Sequence, residues 1–492
     1  MWQATGKGAC MRTEGAARLA ALLASALLLA ACTGDDDEPA VSKPEPSAQP
    51  SPSDRAAPGT STPVEDEVYP DVGDPGVDAL RYHLDLDWDP DSRVLTGRET
   101  VRLRATEDAD HLQLDLSADL TVAAVTVDGK QAEFDHDGKD LVVSQDVRED
   151  ERHTLVLTYS GTPQPVPAPT KRSDFSTIGW TTTSKGGAWT MQEPYGAYSW
   201  YAVNDQPSDK ALYDFRISVP TPWVGVANGE LVARATRGDR TVTRWVLDEP
   251  ASSYLVTVAI DDLVETEDRS ESGVPISYWT PRGRPELVER LREANAGLGW
   301  LEERLGDFPF DSVGFVIVDS ESGMETQTMI TLGDTEYATS PEVLVHELAH
   351  QWYGDQVTPV DWRDVWMNEG MAMYLQATWQ AEFQDRPLEE TMATWREIDP
   401  QLRADFGPPA DFDPEAFGAT NVYTSPALMW DELRKRLGDD EFWRLVRDWP
   451  ATHDDANADY DDITSWWSDQ SGEDLSGFFD DWLLGETTPE SG

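Results

Sequence analysis

The chain has 492 residues, a length typical of about two or three domains. Its 93 acidic and 38 basic residues give a formal net charge of −55, which argues against nucleic acid as the main partner and against electrostatic docking on anionic lipid. A hydrophobic content of 39%, with 20 Trp, excludes a mainly disordered protein. The acidity favours solubility, with attraction of cationic peptides as a second interpretation.

The N-terminus has the pattern of an export signal. Arg12 and Arg18 precede an apolar run over 19–31, which is too short to span a bilayer, since a spanning helix needs about 20 residues. The run ends in Leu-Ala-Ala-Cys, which resembles the bacterial lipobox and implies lipidation of Cys32. We therefore predict a lipoprotein signal peptide over 1–31 and an exported protein, held by its lipid on the outer face of a bacterial cytoplasmic membrane. An ordinary cleaved signal is the alternative.

A polar segment follows the signal. Residues 32–68 are rich in Pro, Ser, Asp, Glu and Ala, which predicts a lipid-anchored, disordered linker with a reach of roughly 30–35 Å. The chain has two Cys, at positions 10 and 32, so we expect no disulfide in the exported protein.

Two patterns of hydrophobicity divide the remaining chain. Apolar residues alternate with period two in short runs such as 82–88 and 213–219, which predicts an all-β domain over 69–265. After Pro285 the period becomes helical, which predicts a mainly helical domain over 266–492 with a short helical tail. In this part we predict a buried strand at 313–318 and helices at 286–305, 341–353, 364–383, 426–437, 439–448, 461–470 and 474–484.

The strongest chemical signal is His346-Glu347-Leu348-Ala349-His350 within a predicted helix. Residues four apart share a helix face, so the two imidazoles can bind one Zn²⁺ while Glu347 handles water. A third protein ligand is needed, because catalytic zinc commonly keeps three ligands and one open position. Glu369 lies on the next predicted helix, with eighteen residues between it and His350. An antiparallel return would bring it beside the pair, so we predict one zinc ion per chain.

These motifs resemble the aminopeptidase N-like gluzincins, zinc metallopeptidases that remove N-terminal amino acids. The family signature is H-E-x-x-H, eighteen residues, then E within W-x-N-E-G, and Trp366 to Gly370 read WMNEG. The stretch SGMET at 322–326 is similar to the family's G-x-M-E-N motif, and QEPYGA at 192–197 to its Q-x-E-P-x-G-A stretch. The resemblance implies a saddle-like N-terminal β domain and a thermolysin-like catalytic domain.

The resemblance also implies roles for individual residues. Glu347 would be the general base, and Tyr423 would stabilise the oxyanion together with zinc. Glu325 and Glu193 would hold the substrate's α-ammonium, in a substrate-binding motif that includes Gly323 and Met324. The expected partners are peptides with a free N-terminus.

Two other functions remain open. The first is a zinc endopeptidase, because H-E-x-x-H is shared by many metallopeptidases. The second is a non-catalytic surface lipoprotein with a peptidase fold. The oligomeric state has no sequence signal.

Overall fold

The computed structural model describes residues 59–490, which belong to one compact unit. The predicted signal peptide over 1–31, the lipidation residue Cys32 and the predicted linker as far as residue 58 lie outside the described residues. Within 59–490, none of the helices combines the length and the apolar character needed to cross a bilayer.

The N-terminal part is built from β-strands, as its period-two pattern predicts. Its largest sheet has eight strands, and the strand Val94–Ala105 alternates between buried and more exposed residues, so one face packs on the core. Val77–Asp89 runs parallel to Lys210–Pro220 and antiparallel to Val94–Ala105. The sheet order is Glu230–Arg237, Arg240–Ser252, Lys210–Pro220, Val77–Asp89, Val94–Ala105, Arg152–Gly161, Leu120–Val127 and Lys130–Gln131.

Two smaller sheets complete this part and share its hydrophobic core. A five-stranded sheet has the order Val224–Ala227, Val258–Asp261, Ala188–Met191, Thr177–Thr182 and Val166–Pro167. A three-stranded sheet has the order Ala109–Asp115, Asp140–Val147 and Phe134–Asp137.

The C-terminal part combines helices with a five-stranded mixed sheet. The predicted buried strand, Val313–Val318, lies at the centre of this sheet, and the other strands are Leu263–Arg269, Pro275–Pro281, Met329–Gly333 and Gly323–Met324. A two-stranded pairing joins Thr358–Pro359 to Asn457–Ala458. The helices are α1 (Pro285–Leu291), α2 (Ala294–Leu305), α3 (Pro341–His350), α4 (Val365–Phe383), α5 (Leu388–Phe406), α6 (Asn421–Leu437), α7 (Asp439–Thr452), α8 (Tyr460–Ser471) and α9 (Ser476–Leu483). A β-rich domain followed by a mainly helical domain is thus confirmed.

The helical pattern predicted neither the division of one helix nor the presence of another. The predicted helix over 286–305 is divided into α1 and α2, because hydrogen bonds between residues three apart, such as Glu293 N–H to Arg290 C=O, interrupt the regular ladder. Helix α5 has no predicted counterpart. Apolar residues recur along it at helical spacing, at 388, 392, 395, 402 and 406, but Pro400 lies inside it, and a proline within such a pattern normally ends a helix. A buried ion pair joins Arg403 to Asp399 in the same helix.

The last part of the predicted linker is packed against the body. Asp66 is buried, and its carboxylate accepts hydrogen bonds from the backbone N–H groups of Trp362, Val68 and Tyr69 at 2.8 to 2.9 Å. Ser61 donates from its Oγ to the carbonyl of Lys210. The structure therefore differs from the predicted linker over 61–68, because Asp66 finds backbone donors that a composition argument does not detect.

Lys210 joins the two parts of the protein. It begins a strand of the eight-stranded sheet, yet its buried Nζ donates to the carbonyls of Asp355 at 2.8 Å and Gln356 at 3.0 Å, just beyond the end of α3. Burial lowers the pKa of Lys210 to about 8, against the raising effect of the nearby carboxylates Asp455, Asp355 and Asp454.

This shift predicts a pH-dependent contribution to stability. Between about pH 8 and 10.5 the unfolded chain holds a proton on Lys210 that the folded chain has released. The contribution of Lys210 to the free energy of unfolding therefore increases as pH rises through this range. In urea titrations followed by Trp fluorescence, the free energy of unfolding of the wild type is expected to increase over this range relative to Lys210→Met. A difference that stays constant, or that shrinks with pH, would contradict the assignment.

Candidate metal centre and active site

Helix α3 carries the two predicted histidine ligands. It starts at Pro341, whose missing N–H suits a first helical position, and residues 343–350 are all buried. The rings of His346 and His350 lie on one face with centroids 4.8 Å apart. The helical spacing predicted from the sequence is therefore present.

Helix α4 brings the third predicted ligand to the same point. Glu369 Oε2 lies 3.2 Å from His346 Nε2 and 3.4 Å from His350 Nε2. The candidate ligand atoms of the three residues all lie within 4.8 Å of one another. Two imidazoles and one carboxylate are a donor set of catalytic zinc sites, and the convergence of the three side chains fits a zinc ion.

The surroundings of these ligands favour metal binding. His350 Nδ1 lies 3.1 Å from the carbonyl of Tyr353, a partner that keeps the proton on Nδ1 and leaves the Nε2 lone pair for the metal. Burial opposes ionisation of Glu369, but hydrogen bonds from His346 and His350 outweigh it and hold the pKa of Glu369 below its usual range. Glu369 is therefore an anion at neutral pH.

Glu347 lies beside the ligands in a position that depends on Gly323. The side chain of Glu347 is buried, and burial, followed by the charge of Glu325, raises its pKa well above the usual value. A Cβ placed on Gly323 would come within 2.7 Å of Glu347 Oε1 and 3.0 Å of a methyl carbon of Leu332. The glycine thus leaves the room that this carboxylate occupies.

Replacement of Gly323 with alanine is expected to move the Glu347 carboxylate. Misplacing a catalytic group by about 1 Å can cost on the order of 100-fold in rate, so we expect kcat to fall by about 10- to 100-fold with unchanged zinc content. Steady-state kinetics and metal analysis measure both quantities. Gly299→Ala on α2 is the matched control, because nothing lies within 4 Å of its added Cβ. Full activity in Gly323→Ala would rule out the spatial requirement.

Glu325 and Glu193 come from different domains and meet in one cleft. Glu325 follows the short strand Gly323–Met324, and its backbone carbonyl accepts a hydrogen bond of 2.8 Å from Gln351 Nε2. Glu193 follows the strand Ala188–Met191 of the N-terminal part. Within the described chain, the Oε1 atoms of both residues are shielded from solvent and lack a hydrogen-bond partner. Burial raises the pKa of both carboxyl groups. An entering cation would relieve this cost.

Tyr423 lies in the first turn of α6, which begins at Asn421 rather than at the predicted residue 426. Its ring is stacked beside that of His346, with centroids 6.2 Å apart. Gly370 lets helices α4 and α6 pack closely at this point, because a Cβ on Gly370 would come within 2.6 Å of Pro426 on α6. Burial, followed by the charge of Glu369, raises the pKa of Tyr423 well above its usual value, so its hydroxyl keeps the proton at neutral pH.

The predicted residues line one cleft of about 340 Å³. Gly323 and Met324 form one wall, next to Glu325. Arg172 also lines the cleft, although sequence analysis did not select it. It is located in a loop of the N-terminal part, and no motif marked it. The carboxylates that line the cleft are Asp174, Glu193, Asp319, Glu321, Glu325, Glu347 and Glu369.

This fold and this site define a zinc metallopeptidase. Residues 78–255 match the profile described as Peptidase M1 N-terminal domain, and residues 294–482 match the profile described as Peptidase family M1 domain. The two matches lie in the expected order and together span both parts of the structure. The chain belongs to the M1 peptidase family.

Curated relatives and solved structures agree with this assignment. Aminopeptidase N of Acetobacter pasteurianus is 24% identical over 319 residues, which cover 60% of this chain and 88% of that protein. Aminopeptidase N of Streptomyces lividans is 24% identical, and the match covers 83% of this chain and 50% of that protein. Aminopeptidase 2 of Candida albicans is 26% identical, and the match covers 81% of this chain and 46% of that protein. The chain thus spans about half the length of several curated relatives that it matches.

Two-domain structures cover the chain more fully. The M1 zinc metallopeptidase from Deinococcus radiodurans has a TM-score of 0.76 and 24% identity, covering 87% of this chain and 98% of that one. A two-domain M1 zinc metallopeptidase bound to L-arginine has a TM-score of 0.77 and 25% identity, covering 87% of this chain and 99% of that one. The two-domain architecture is therefore shared over nearly the whole of these neighbours.

Proposed function

We propose that this protein is a zinc-dependent aminopeptidase that hydrolyses the N-terminal peptide bond of peptides. The observation that carries the proposal is the pair of shielded, unpartnered carboxylate oxygens of Glu193 and Glu325 beside the candidate zinc ligands. A free α-ammonium is the natural partner for two such carboxylates. The names of the curated relatives, which are aminopeptidases, support the same activity.

The residues divide the reaction between them. When held by His346, His350 and Glu369, a zinc ion supplies Lewis acidity that makes water more acidic and stabilises negative charge on oxygen. Glu193 and Glu325 bind the ammonium and set the distance to the first peptide bond. Glu347 accepts a proton from the attacking water as the C–O bond forms, and then delivers this proton to the leaving nitrogen as the C–N bond breaks.

Tyr423 stabilises the transition state. Its protonated hydroxyl donates a hydrogen bond to the carbonyl oxygen as negative charge develops there. An internal peptide bond brings no cation to Glu193 and Glu325 and would leave both carboxylates buried without a partner. The arrangement therefore favours an aminopeptidase over the endopeptidase considered above.

A paired substrate panel tests this function. Zinc-loaded protein comprising residues 33–492 is supplied with aminoacyl-arylamides that carry a free amine, and with the same compounds N-acetylated. Cleavage of the free-amine set alone is the expected result. Cleavage of the acetylated set would favour the endopeptidase, and cleavage of neither set would favour the non-catalytic lipoprotein.

The sequence also supports a proposal for location. We propose export and attachment by a lipid on Cys32 to the outer face of a bacterial cytoplasmic membrane, because a short apolar run after Arg12 and Arg18 ends at this residue. Metabolic labelling with a radioactive fatty acid should mark the wild type and leave Cys32→Ser unlabelled. An unlabelled wild type would indicate an ordinary cleaved signal.

A further inference from the structure

Arg172 is the only Lys or Arg among the described residues that line the cleft, and seven carboxylates line the same cleft. It lies in the loop between the strands Val166–Pro167 and Thr177–Thr182, and therefore belongs to the N-terminal part. A lone cation in so acidic a cleft has two simple roles: it neutralises charge, or it directs a particular group. Its hydrogen bonds distinguish these roles.

The guanidinium of Arg172 is held from several sides. Its Nε and Nη2 donate to the two oxygens of Asp174 at 3.1 and 2.5 Å, and its Nη1 donates to the carbonyl of Gly418 at 3.3 Å. The ring of Phe175 lies beneath it, with its centroid 4.6 Å away. Asp174 already balances the charge of Arg172, so the pair adds no net charge to the cleft. Neutralising the charge of the cleft therefore does not explain the role of Arg172.

One bond of Arg172 is directed at Tyr423. Nη1 lies 3.1 Å from the phenol oxygen. A guanidinium has donors and no acceptor, so the Tyr423 oxygen must accept in this bond. The phenol's own proton then stays available for a different acceptor. This polarity is the one that an oxyanion-stabilising tyrosine needs.

The loop that carries Arg172 also forms hydrogen bonds with the segment that precedes α6. The backbone N–H of Phe417 donates to the carbonyl of Pro169 at 2.8 Å, and Thr170 Oγ1 donates to the carbonyl of Phe417 at 2.7 Å. Gly418 adopts a φ of 65°, and a Cβ there would come within 3.2 Å of Phe175. The loop thus positions both the start of α6 and the Tyr423 hydroxyl.

We propose that Arg172 is a positioning residue for Tyr423, through which the N-terminal domain orients the phenol that stabilises the oxyanion. The inference rests on the proposed aminopeptidase function. Arg172 contributes through the tyrosine and does not itself contact the reacting atoms. Its loss should therefore affect kcat far more than KM, and should matter only while the Tyr423 hydroxyl is present.

A double-mutant cycle on a free-amine arylamide tests this dependence. Tyr423→Phe is expected to lower kcat by about 100- to 1,000-fold, as for loss of one oxyanion donor, and Arg172→Met by about 10- to 100-fold with KM within about 3-fold. The double variant is expected to match Tyr423→Phe alone, since a residue that acts through the hydroxyl has nothing left to position. Losses that multiply in the double variant would overturn the inference.

Two further variants separate orientation from charge and from folding. Arg172→Lys keeps the charge but lacks the planar fork that bonds both oxygens of Asp174 while a separate nitrogen reaches Tyr423, so its kcat should stay near that of Arg172→Met. Wild-type kcat in the lysine variant would overturn the inference. Arg216→Met, which removes a half-buried ion pair with Asp85 in the same domain and does not line the cleft, is the matched control and should keep wild-type kinetics.

The wild-type result separates the two proposals. If the wild type cleaves the substrate and Arg172→Met, with normal zinc content and thermal midpoint, is equally active, the inference about Arg172 is wrong and the aminopeptidase function stands. If the wild type cleaves no free-amine substrate, the proposed function fails and the inference fails with it.

Discussion

Replacement of Glu347 with glutamine is expected to lower kcat on free-amine substrates by about 100- to 10,000-fold, the usual contribution of a general base. Glutamine has nearly the same shape but cannot take a proton from the attacking water. The three candidate zinc ligands remain in place, so zinc content should stay at one ion per chain. Steady-state kinetics together with metal analysis measure both effects.

The control for this variant lies on the same helix. Glu342 is in the first turn of α3, where it accepts a hydrogen bond from Gln384 and does not line the cleft. Glu342→Gln should keep wild-type kcat. A Glu347→Gln variant that retains zinc and full activity would show that another group activates the water, and would remove Glu347 from the mechanism.

Replacement of Glu325 with glutamine is expected to lower kcat/KM for free-amine substrates by about 30- to 1,000-fold. The change removes the negative charge that strengthens one hydrogen bond to the substrate ammonium in a shielded site, where charged pairs of this kind contribute about 2–4 kcal/mol. The same change at Glu193 should act in the same direction. Together the two variants would measure how the ammonium is shared between the domains.

The quantity that tests this role of Glu325 is the selectivity for substrates with a free amine. N-acetylated substrates bring no cation, so Glu325→Gln should reduce the ratio of free-amine to acetylated cleavage. The exposed carboxylate of Glu321 lines the same cleft, and Glu321→Gln should leave this ratio unchanged. An unchanged ratio in Glu325→Gln would mean that its carboxylate does not receive the ammonium.

The metal site could be predicted from the sequence because its ligands lie close together along the chain. His346 and His350 are fixed by helical spacing alone, and Glu369 needs only one antiparallel return to reach them. The division into β and helical domains was also readable, since strands with one buried face alternate with period two.

Contacts that form only when the two domains pack together could not be predicted from the spacing of residues along the chain. The meeting of Glu193 with Glu325 was anticipated through family resemblance, since 132 positions of chain separate them. Arg172 was missed altogether, because it occupies an irregular loop and acquires its partner Tyr423 only when the domains pack. Helix α5 was missed for a different reason: Pro400 lies inside it, and a proline in a helical pattern is normally taken as the end of a helix.

The cleft is assembled from both domains, so the groups proposed to act on a substrate are encoded in two separate stretches of the gene. The metal ligands and Glu347 belong to the helical domain, whereas Glu193 and Arg172 belong to the β domain. Recombination that exchanged only the β domain would keep the candidate metal ligands, Glu347 and Glu325, and would replace Glu193 and Arg172. Under the proposed function, such an exchange would alter one of the two ammonium-binding carboxylates and the positioning of Tyr423, while the groups that hydrolyse the bond stay the same.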